Sequence, residues 1–331
     1  MNCLVIGGTQ FIGRTLVAEL LKAGHKVSVL HRQPRHSLGR RVGNIAADRN
    51  DPKAMKAALA GKHFEAVFDH VYDWERGTTA AHVEGTARAL GDRLHRYIFV
   101  SSVAAYGDGL NHHESDALAP DDAAELYVRN KAMSERALFR MHQRTGLPVV
   151  TLRPPFVYGP NNPFYREAYF WDRLRAGRPI LLPGDGRRLM QFVYVKDLVR
   201  ASLAAMSEPA AVGHAFNIAN PRPVSQTEFV ETLGAVCRKP VKFVRIPRSY
   251  VTRAGGHPMG PKMYFGVYLD VAPITQITAK AQRMLKFKPT DFEDGLKETY
   301  RWYVRNAKFP KQDYSFEDAL MANAPAILAA K

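Results

Sequence analysis

The opening of the chain leaves the fewest options for its fold. Asn2-Cys-Leu-Val-Ile6 is a short apolar run of strand type. It breaks into Gly7-Gly-Thr-Gln-Phe-Ile-Gly13, after which Arg14 to Ala23 carries apolar residues at helical spacing, Leu16, Val17, Leu20 and Leu21. Strand, glycine turn and helix in that order make a phosphate cradle. The backbone N–H groups of the turn and the positive end of the helix face whatever sits at the strand's C-terminal edge. A dinucleotide pyrophosphate fits there without a cationic side chain, which makes Gly7, Thr9, Gln10, Phe11, Ile12 and Gly13 candidate cofactor residues. A glycine-rich turn alone is a weak signal, because many plain strand-to-helix turns carry glycine. Here the next strand follows at once, His25-Lys-Val-Ser-Val-Leu30, and strand-type runs at Phe64–Val71 and Arg96–Val100 alternate with helical segments. That alternation predicts an α/β chain with a Rossmann-type doubly wound parallel sheet.

Bulk composition narrows the class. At 331 residues the chain can bury a large core, and one large α/β domain with a smaller lobe is the natural partition. No apolar run approaches the ~18 residues of a membrane span, and strand-type sequence begins at residue 2 where a signal segment would lie. Two cysteines, Cys3 and Cys237, indicate neither a disulfide frame nor a metal site, so a reducing cytoplasm is expected and no metal. The net charge of +16 favours anionic partners, and it is partly concentrated: no acid occurs between Thr232 and Leu269, while Arg238, Lys239, Lys242, Arg245, Arg248, Arg253 and Lys262 do. A solvated basic face explains that run as readily as a wall for nucleotide phosphates.

The chemistry-bearing residues lie near the fifth strand. Arg96–Val100 opens directly onto Ser101-Ser-Val-Ala-Ala-Tyr-Gly107, which places hydroxyls at a strand's C-terminal end, where α/β sheets hold their ligands. Tyr127 and Lys131 follow at helical i, i+4 spacing, so both project from one face. A free phenol with pKa near ~10 is a poor base at neutral pH, and a nearby ammonium favours the phenolate. Tyr-x-x-x-Lys alone is close to noise. The combination is more specific, because Ser102 precedes Tyr127 by 25 residues and Tyr106-Gly107 by four.

With the turn at Gly7–Gly13, these residues resemble the extended short-chain dehydrogenase/reductases of the NAD-dependent epimerase/dehydratase family, in the branch that carries G-G-T-x-F-I-G. The usual middle glycine of the turn is Gln10 here. The resemblance implies a catalytic triad of Ser102, Tyr127 and Lys131, with Tyr127 and Lys131 also touching the cofactor. In this reading Tyr127 exchanges a proton with a substrate hydroxyl or carbonyl while a nicotinamide exchanges the hydride.

The second strand ends at His31-Arg-Gln-Pro-Arg35, where NAD-binding folds commonly place an acid for the ribose 2′-OH. Arg32 and Arg35 would instead welcome a 2′-phosphate, so NADP(H) is the favoured cofactor and NAD(H) the alternative. By resemblance Asp48 and Arg49 close the third strand at the adenine, Val71 lines the cofactor's middle, and Pro154, Phe156 and Val157 contact it from the loop after the sixth strand.

Two departures fall on the ligand side. Phe156 stands where the family's R-x-x-N-V-Y-G-P segment has asparagine, and Met190-Gln191 replaces Arg-Asp in the run Gly184-Asp-Gly-Arg-Arg-Leu-Met-Gln-Phe-Val-Tyr-Val-Lys-Asp197. Arg187 and Arg188 are close enough in sequence to compensate. The substrate-side candidates are therefore Ser102, Val103, Arg166, Arg187, Arg188 and Gln191, with Asp197 read as a helix anchor.

The expected domains are 1–160 for the cofactor, joined by part of 190–220, then 161–303 for the substrate lobe and 304–331 as a poorly ordered tail. The resemblance implies an epimerase or ketoreductase acting on a nucleotide-linked sugar or related polyol, with a homodimer as the expected assembly. Dehydratase chemistry is not expected, because Val103-Ala104 replaces the Asp-Glu pair that eliminates water. An RNA-binding or ribonuclease protein of the same fold is the alternative, since the branch includes chloroplast stem-loop RNA-binding proteins. Against nucleic acid stand the complete triad and the lack of a basic tract interleaved with aromatics.

Overall fold

The computed structural model describes residues 1–91, 93–306, 309 and 313–322. Contacts divide it into two compact units: the first holds Met1–Val157, Phe192–Pro221 and Ile274–Thr290, and the second Tyr158–Gln191, Arg222–Pro273 and Asp291–Lys331.

The first unit is built on β1 (Asn2–Ile6), α1 (Phe11–Lys22), β2 (Lys26–His31), β3 (Val42–Ala46), α2 (Pro52–Leu59), β4 (Ala66–Asp69), α3 (Ala80–Leu90), β5 (Arg96–Val100) and α4 (Leu126–Thr145). Two later strands, Val149–Arg153 and His214–Asn217, complete a seven-stranded sheet, beside which β3 forms the far edge after β2 and β1. All its pairings are parallel. The order runs outward from β1 in one direction through β2 and β3, and in the other through β4 and β5, so the chain reverses between β1 and β4. Ligands of such sheets bind outside the strand ends at that reversal.

Strands buried on both faces read as continuous apolar runs, and β5 is buried at all five residues. On one face Leu4, Ile6, Val67, Tyr97 and Phe99 pack with Val83 and Ala87 of α3 and Leu138 of α4. Each fully buried Leu, Ile, Val or Phe among them contributes about 1.5–3 kcal/mol. On the other face Val29 closes on Val17 of α1 so tightly that a Cβ at Gly8 would lie 2.4 Å from the first and 3.2 Å from the second. Helix α4 stops at Gly146, whose φ of +72° is the left-handed conformation that ends helices.

The second unit carries α5 (Glu167–Arg175) and α7 (Gln226–Cys237); between them in sequence α6 (Val195–Ser207) belongs to the first unit. A short parallel pair joins Ile180–Pro183 to Phe243–Ile246. Helix α7 starts with a capping box, Ser225 Oγ accepting from Glu228 N at 3.1 Å while Glu228 Oε2 accepts from Ser225 N at 2.8 Å. Trp171 of α5 packs on Tyr300 and Tyr303 of the helix Phe292–Asn306, with ring centroids 5.0 and 5.2 Å apart.

The expected tail needs correction. The last long helix runs to Asn306, past 303, and a further helix spans Ser315–Ala322. Its Glu317 is 3% exposed and takes Arg173 Nε and Nη2 at 2.7 and 2.6 Å and Tyr169 Oη at 2.6 Å. The buried guanidinium of α5 thus anchors a segment whose alanine-rich sequence gave little helical pattern. The rest of the expected tail, 307, 308, 310–312 and 323–331, lies outside the described residues.

Both cysteines are buried and free. Among the described residues no helix is long and apolar enough to cross a membrane, and no group of three or more His, Cys, Asp or Glu could hold a metal ion.

Candidate active site

The turn after β1 is shaped by three glycines. Gly7 has φ of +87°, donates its N–H to Leu30 O at 3.0 Å, and could not carry a Cβ, which would meet Val71 Cγ2 at 2.3 Å. A Cβ at Gly13 would lie 2.2 Å from Gly7 O, so the start of α1 presses directly on the turn. Gly8 is needed for packing against Val29, a constraint the motif alone did not reveal. Gln10, the departure from the family pattern, is exposed and makes no capping bond to the helix. Phe11 follows at φ of +38°, a left-handed conformation that costs a non-glycine residue about 1 kcal/mol or more. With no side-chain cap and no acid in its first turn, the N-terminus of α1 has neither a capping side chain nor a local acid to offset its N–H groups and positive dipole. That is the arrangement a pyrophosphate requires, so these residues fit a dinucleotide.

Ser102, Tyr127 and Lys131 all belong to the first unit. Ser102 starts the short turn Val103–Tyr106, its Oγ accepting from Ala104 N at 3.1 Å. Tyr127 lies in the first turn of α4, and Lys131 one turn on is buried. Lys131 Nζ donates to Val100 O at 2.8 Å, two residues before Ser102, and lies 5.9 Å from the centre of the Tyr127 ring. Burial brings this ammonium down from 10.5 to about 8; Arg49 adds to the fall, while the carboxylates of Asp69 and Glu135 oppose it.

Below the serines runs a buried polar lattice. Glu135 of α4 accepts from Ser101 Oγ at 2.5 Å, Thr151 Oγ1 at 3.0 Å and Arg153 Nη2 at 2.7 Å. Arg153 Nη1 donates to Tyr106 Oη at 2.6 Å, and Tyr106 donates to Asn217 Oδ1 at 2.8 Å. Burial, partly offset by Arg153, pushes the Tyr106 phenol up to about 12. Every member is paired, so the lattice locks the turn that carries Ser102 to two strand ends and α4.

The segment between β4 and α3 supplies neighbours that the motifs did not mark. Tyr72 meets the Tyr127 ring edge-on at 4.8 Å, and Trp74 stacks on it at 4.7 Å and 22°. Asn130 Nδ2 donates to Tyr72 Oη at 3.2 Å. The only sequence signal was an aromatic pair just beyond a strand end. His70 follows β4 with neither ring nitrogen bonded; burial, aided by the Lys131 ammonium, holds it neutral down to about 3.

Several expected contacts need correction. Arg49 is 4% exposed and turned inward, donating to Asp69 Oδ2 at 2.5 Å, to His82 O at 2.9 Å and to Thr86 Oγ1. A buried acid at Asp69 needs that guanidinium, so only the Arg49 backbone is left for a cofactor. Asp48 remains partly exposed and pairs with Arg76 at 2.8 Å. Arg35 is exposed, and Arg32, also exposed, lies 3.6 Å from Asp73.

Pro154 O accepts from Val103 N at 3.0 Å, Val157 is buried, and half-buried Phe156 packs on Phe192 at 5.7 Å. In the second unit Arg166 is 8% exposed, its guanidinium set over Phe164 and bonded to Val267 O, and Gln191 is 1% exposed, so neither side chain is displayed for a substrate. Arg188 is held by Asp270 at 3.2 Å, while Arg187 is exposed. Asp197 anchors as expected, accepting from Thr290 N and Oγ1 at 2.6 and 2.7 Å.

A doubly wound sheet with this turn, and a Tyr-x-x-x-Lys helix beside a serine-bearing strand end, define an enzyme of the extended short-chain dehydrogenase/reductase class. The family model for the NAD dependent epimerase/dehydratase family matches residues 3–219, and the chain belongs to that family. It is similar to the chloroplast stem-loop binding protein of 41 kDa b of Arabidopsis thaliana, 29% identical over 96% of this chain and 84% of that protein. It is 26% identical to the UDP-N-acetyl-alpha-D-glucosaminuronate decarboxylase of Bacillus cytotoxicus, over 91% of this chain and 97% of the other. Its fold matches that of the UDP-glucuronic acid 4-epimerase of Bacillus cereus solved with NAD, with TM-score 0.73 and 20% identity, over 93% of this chain and all of that one.

Proposed function

We propose that this protein is a nicotinamide-dependent epimerase or ketoreductase whose substrate is a nucleotide-linked sugar or a related anionic polyol. The observation that carries the reading is the buried Lys131 ammonium, 5.9 Å from the Tyr127 ring and bonded to the strand end that leads into Ser102. The nicotinamide, when bound, supplies or accepts the hydride. Tyr127 holds and moves the proton at its phenolic oxygen, and Lys131 favours the phenolate by its charge. Ser102 presents a hydroxyl to the reacting oxygen of the substrate. Gly7, Thr9, Gln10, Phe11, Ile12 and Gly13 hold the pyrophosphate, and Arg32 and Arg35 favour NADP(H) over NAD(H). Of the substrate-side arginines Arg166, Arg187 and Arg188, Arg187 is the exposed one and is proposed to meet an anion. Two buried free thiols suit a reducing compartment.

The test is a thermal-shift screen of nucleotide sugars with each nicotinamide cofactor present, followed by turnover of any ligand that stabilises the protein. Saturable stabilisation by a dinucleotide and by one sugar class supports the reading. No response to either dinucleotide refutes it.

A second reading, RNA binding, is favoured by one relative, the stem-loop binding protein similar over nearly the whole chain, and the net charge of +16 is compatible with it. Salt-sensitive RNA retention without any nicotinamide response supports that reading instead.

A further inference from the structure

No acid occurs between His31 and Ala47, so the chain following β2 offers no carboxylate of its own for the ribose of NAD. The fold supplies one from elsewhere. Asp73, in the segment after β4, places Oδ2 3.6 Å from Arg32 Nη1; the Asp73 side chain is 9% exposed and that of Arg32 64%. The same carboxylate oxygen accepts from Arg76 Nε and Nη2 at 2.9 and 2.6 Å, and Arg76 Nη2 reaches Asp48 Oδ2 at 2.8 Å.

Three separate segments, following β2, β3 and β4, thus contribute two cations and two anions to one cluster, where the nicotinamide reading puts the adenosine. Asp73 is not free to swing away. Its Oδ1 accepts from Glu75 N and Arg76 N at 3.0 Å each, and its own N–H donates to Thr78 Oγ1 at 3.0 Å. A tight turn therefore fixes the carboxylate, while Arg32 is the exposed partner.

We infer that Asp73 is the residue that sets the balance between NAD(H) and NADP(H), by competing with a 2′-phosphate for Arg32. This rests on the nicotinamide reading above. A 2′-hydroxyl leaves the cluster as it is. A 2′-phosphate gains the Arg32 guanidinium only by drawing it from Asp73. The preference for NADP(H) expected from Arg32 and Arg35 is thereby narrowed, and the protein accepts both cofactors. The sequence hides this because the competing acid lies 41 positions beyond Arg32.

Asp73→Asn is the direct test. Its Oδ1 can keep both backbone bonds of the turn while the charge beside Arg32 is lost. Dissociation constants for NADPH and NADH, measured by nucleotide fluorescence at low salt, are compared in the wild type, Asp73→Asn, Arg32→Gln and the double variant. Asp73→Asn should shift the ratio toward NADPH by roughly two- to fivefold, the scale of an exposed ion pair. Arg32→Gln, which places no load on the turn, should shift it toward NADH, and adding Asp73→Asn to it should change the ratio no further.

An unchanged ratio in Asp73→Asn overturns the inference. So does an unchanged ratio in Arg32→Gln, or a shift from Asp73→Asn that persists without Arg32. Failure of the wild type to bind either dinucleotide removes the nicotinamide reading itself and this inference with it. Binding of both with no response to these substitutions removes the inference alone.

Discussion

Replacing Lys131 with methionine should make the protein more stable and less active. The side chain is buried, and its ammonium falls from an ordinary 10.5 to about 8. At ~1.36 kcal/mol per pH unit, that difference of 2.5 means that the charged lysine costs the folded state about 3 kcal/mol below pH 8. The sign follows from proton counts. Between pH 8 and 10.5 the unfolded chain holds the proton that the folded chain has released, so stability rises with pH through that window and the penalty disappears above it.

Methionine keeps the length and packing of the stem. It loses the bond to Val100 O, worth about 1–2 kcal/mol. The net expectation at pH 7 is a gain of about 1–2 kcal/mol, or roughly 1.5–3 °C in melting temperature for a chain of this size. Urea unfolding of both proteins at pH 7, 8.5 and 10 measures it, and the gain should shrink steadily across that series. Turnover should fall by about a hundredfold or more, because Tyr127 loses the charge that favours its phenolate. A variant less stable than the wild type at pH 7, or a difference that stays flat to pH 10, would refute the argument.

Other outcomes follow from the same geometry. Tyr127→Phe should lower turnover by about 10²–10⁴ while cofactor affinity, read by fluorescence titration, stays within about twofold, because the ring contacts with Tyr72 and Trp74 survive. Gly13→Ala should weaken dinucleotide binding by at least about tenfold and cost about 1–3 kcal/mol in unfolding experiments, since the new Cβ would sit 2.2 Å from Gly7 O and 2.8 Å from Gly8 Cα, neither of which can yield cheaply. Glu135→Gln should cost about 3–5 kcal/mol by leaving the Arg153 charge unpaired in the interior, with a matching fall in melting temperature.

The parts of the molecule that were legible in sequence are those governed by local rules. β1, its glycine turn and α1 announce themselves because steric demand, strand period and helical spacing act within about twenty residues. The Tyr127–Lys131 pair is legible for the same reason. What escaped the sequence is pairing across the fold. The inward turn of Arg49 depends on Asp69 lying opposite it, and the burial of Asp69 depends on a parallel register with β5 that puts Tyr97 within 2.7 Å. The helix Ser315–Ala322 escaped because its anchor, Arg173, lies 144 residues away. Tyr72, Trp74 and Asp73 escaped because no period marks a loop.

The two kinds of departure from the family pattern have different physical consequences. Around the proposed chemistry, Gln10 is turned out to solvent, the glycine turn stays tightly packed, and Lys131 Nζ lies 5.9 Å from the Tyr127 ring. On the substrate side the positions that would offer polar groups are buried or half-buried in packing. Met190 is 3% exposed and paired with Val224, Phe156 lies against Phe192, and Arg166 covers Phe164. Once an apolar side chain has been absorbed into packing, restoring asparagine or arginine there would bury a polar group without a partner, at about 1–3 kcal/mol. Met190 is therefore part of this chain's core and Phe156 is packed at its edge, and under the proposed reading both replacements bear on recognition rather than on the chemistry at the reacting carbon. Substrates differing at the phosphate end should consequently separate this protein from its relatives more sharply than substrates differing at the reacting carbon.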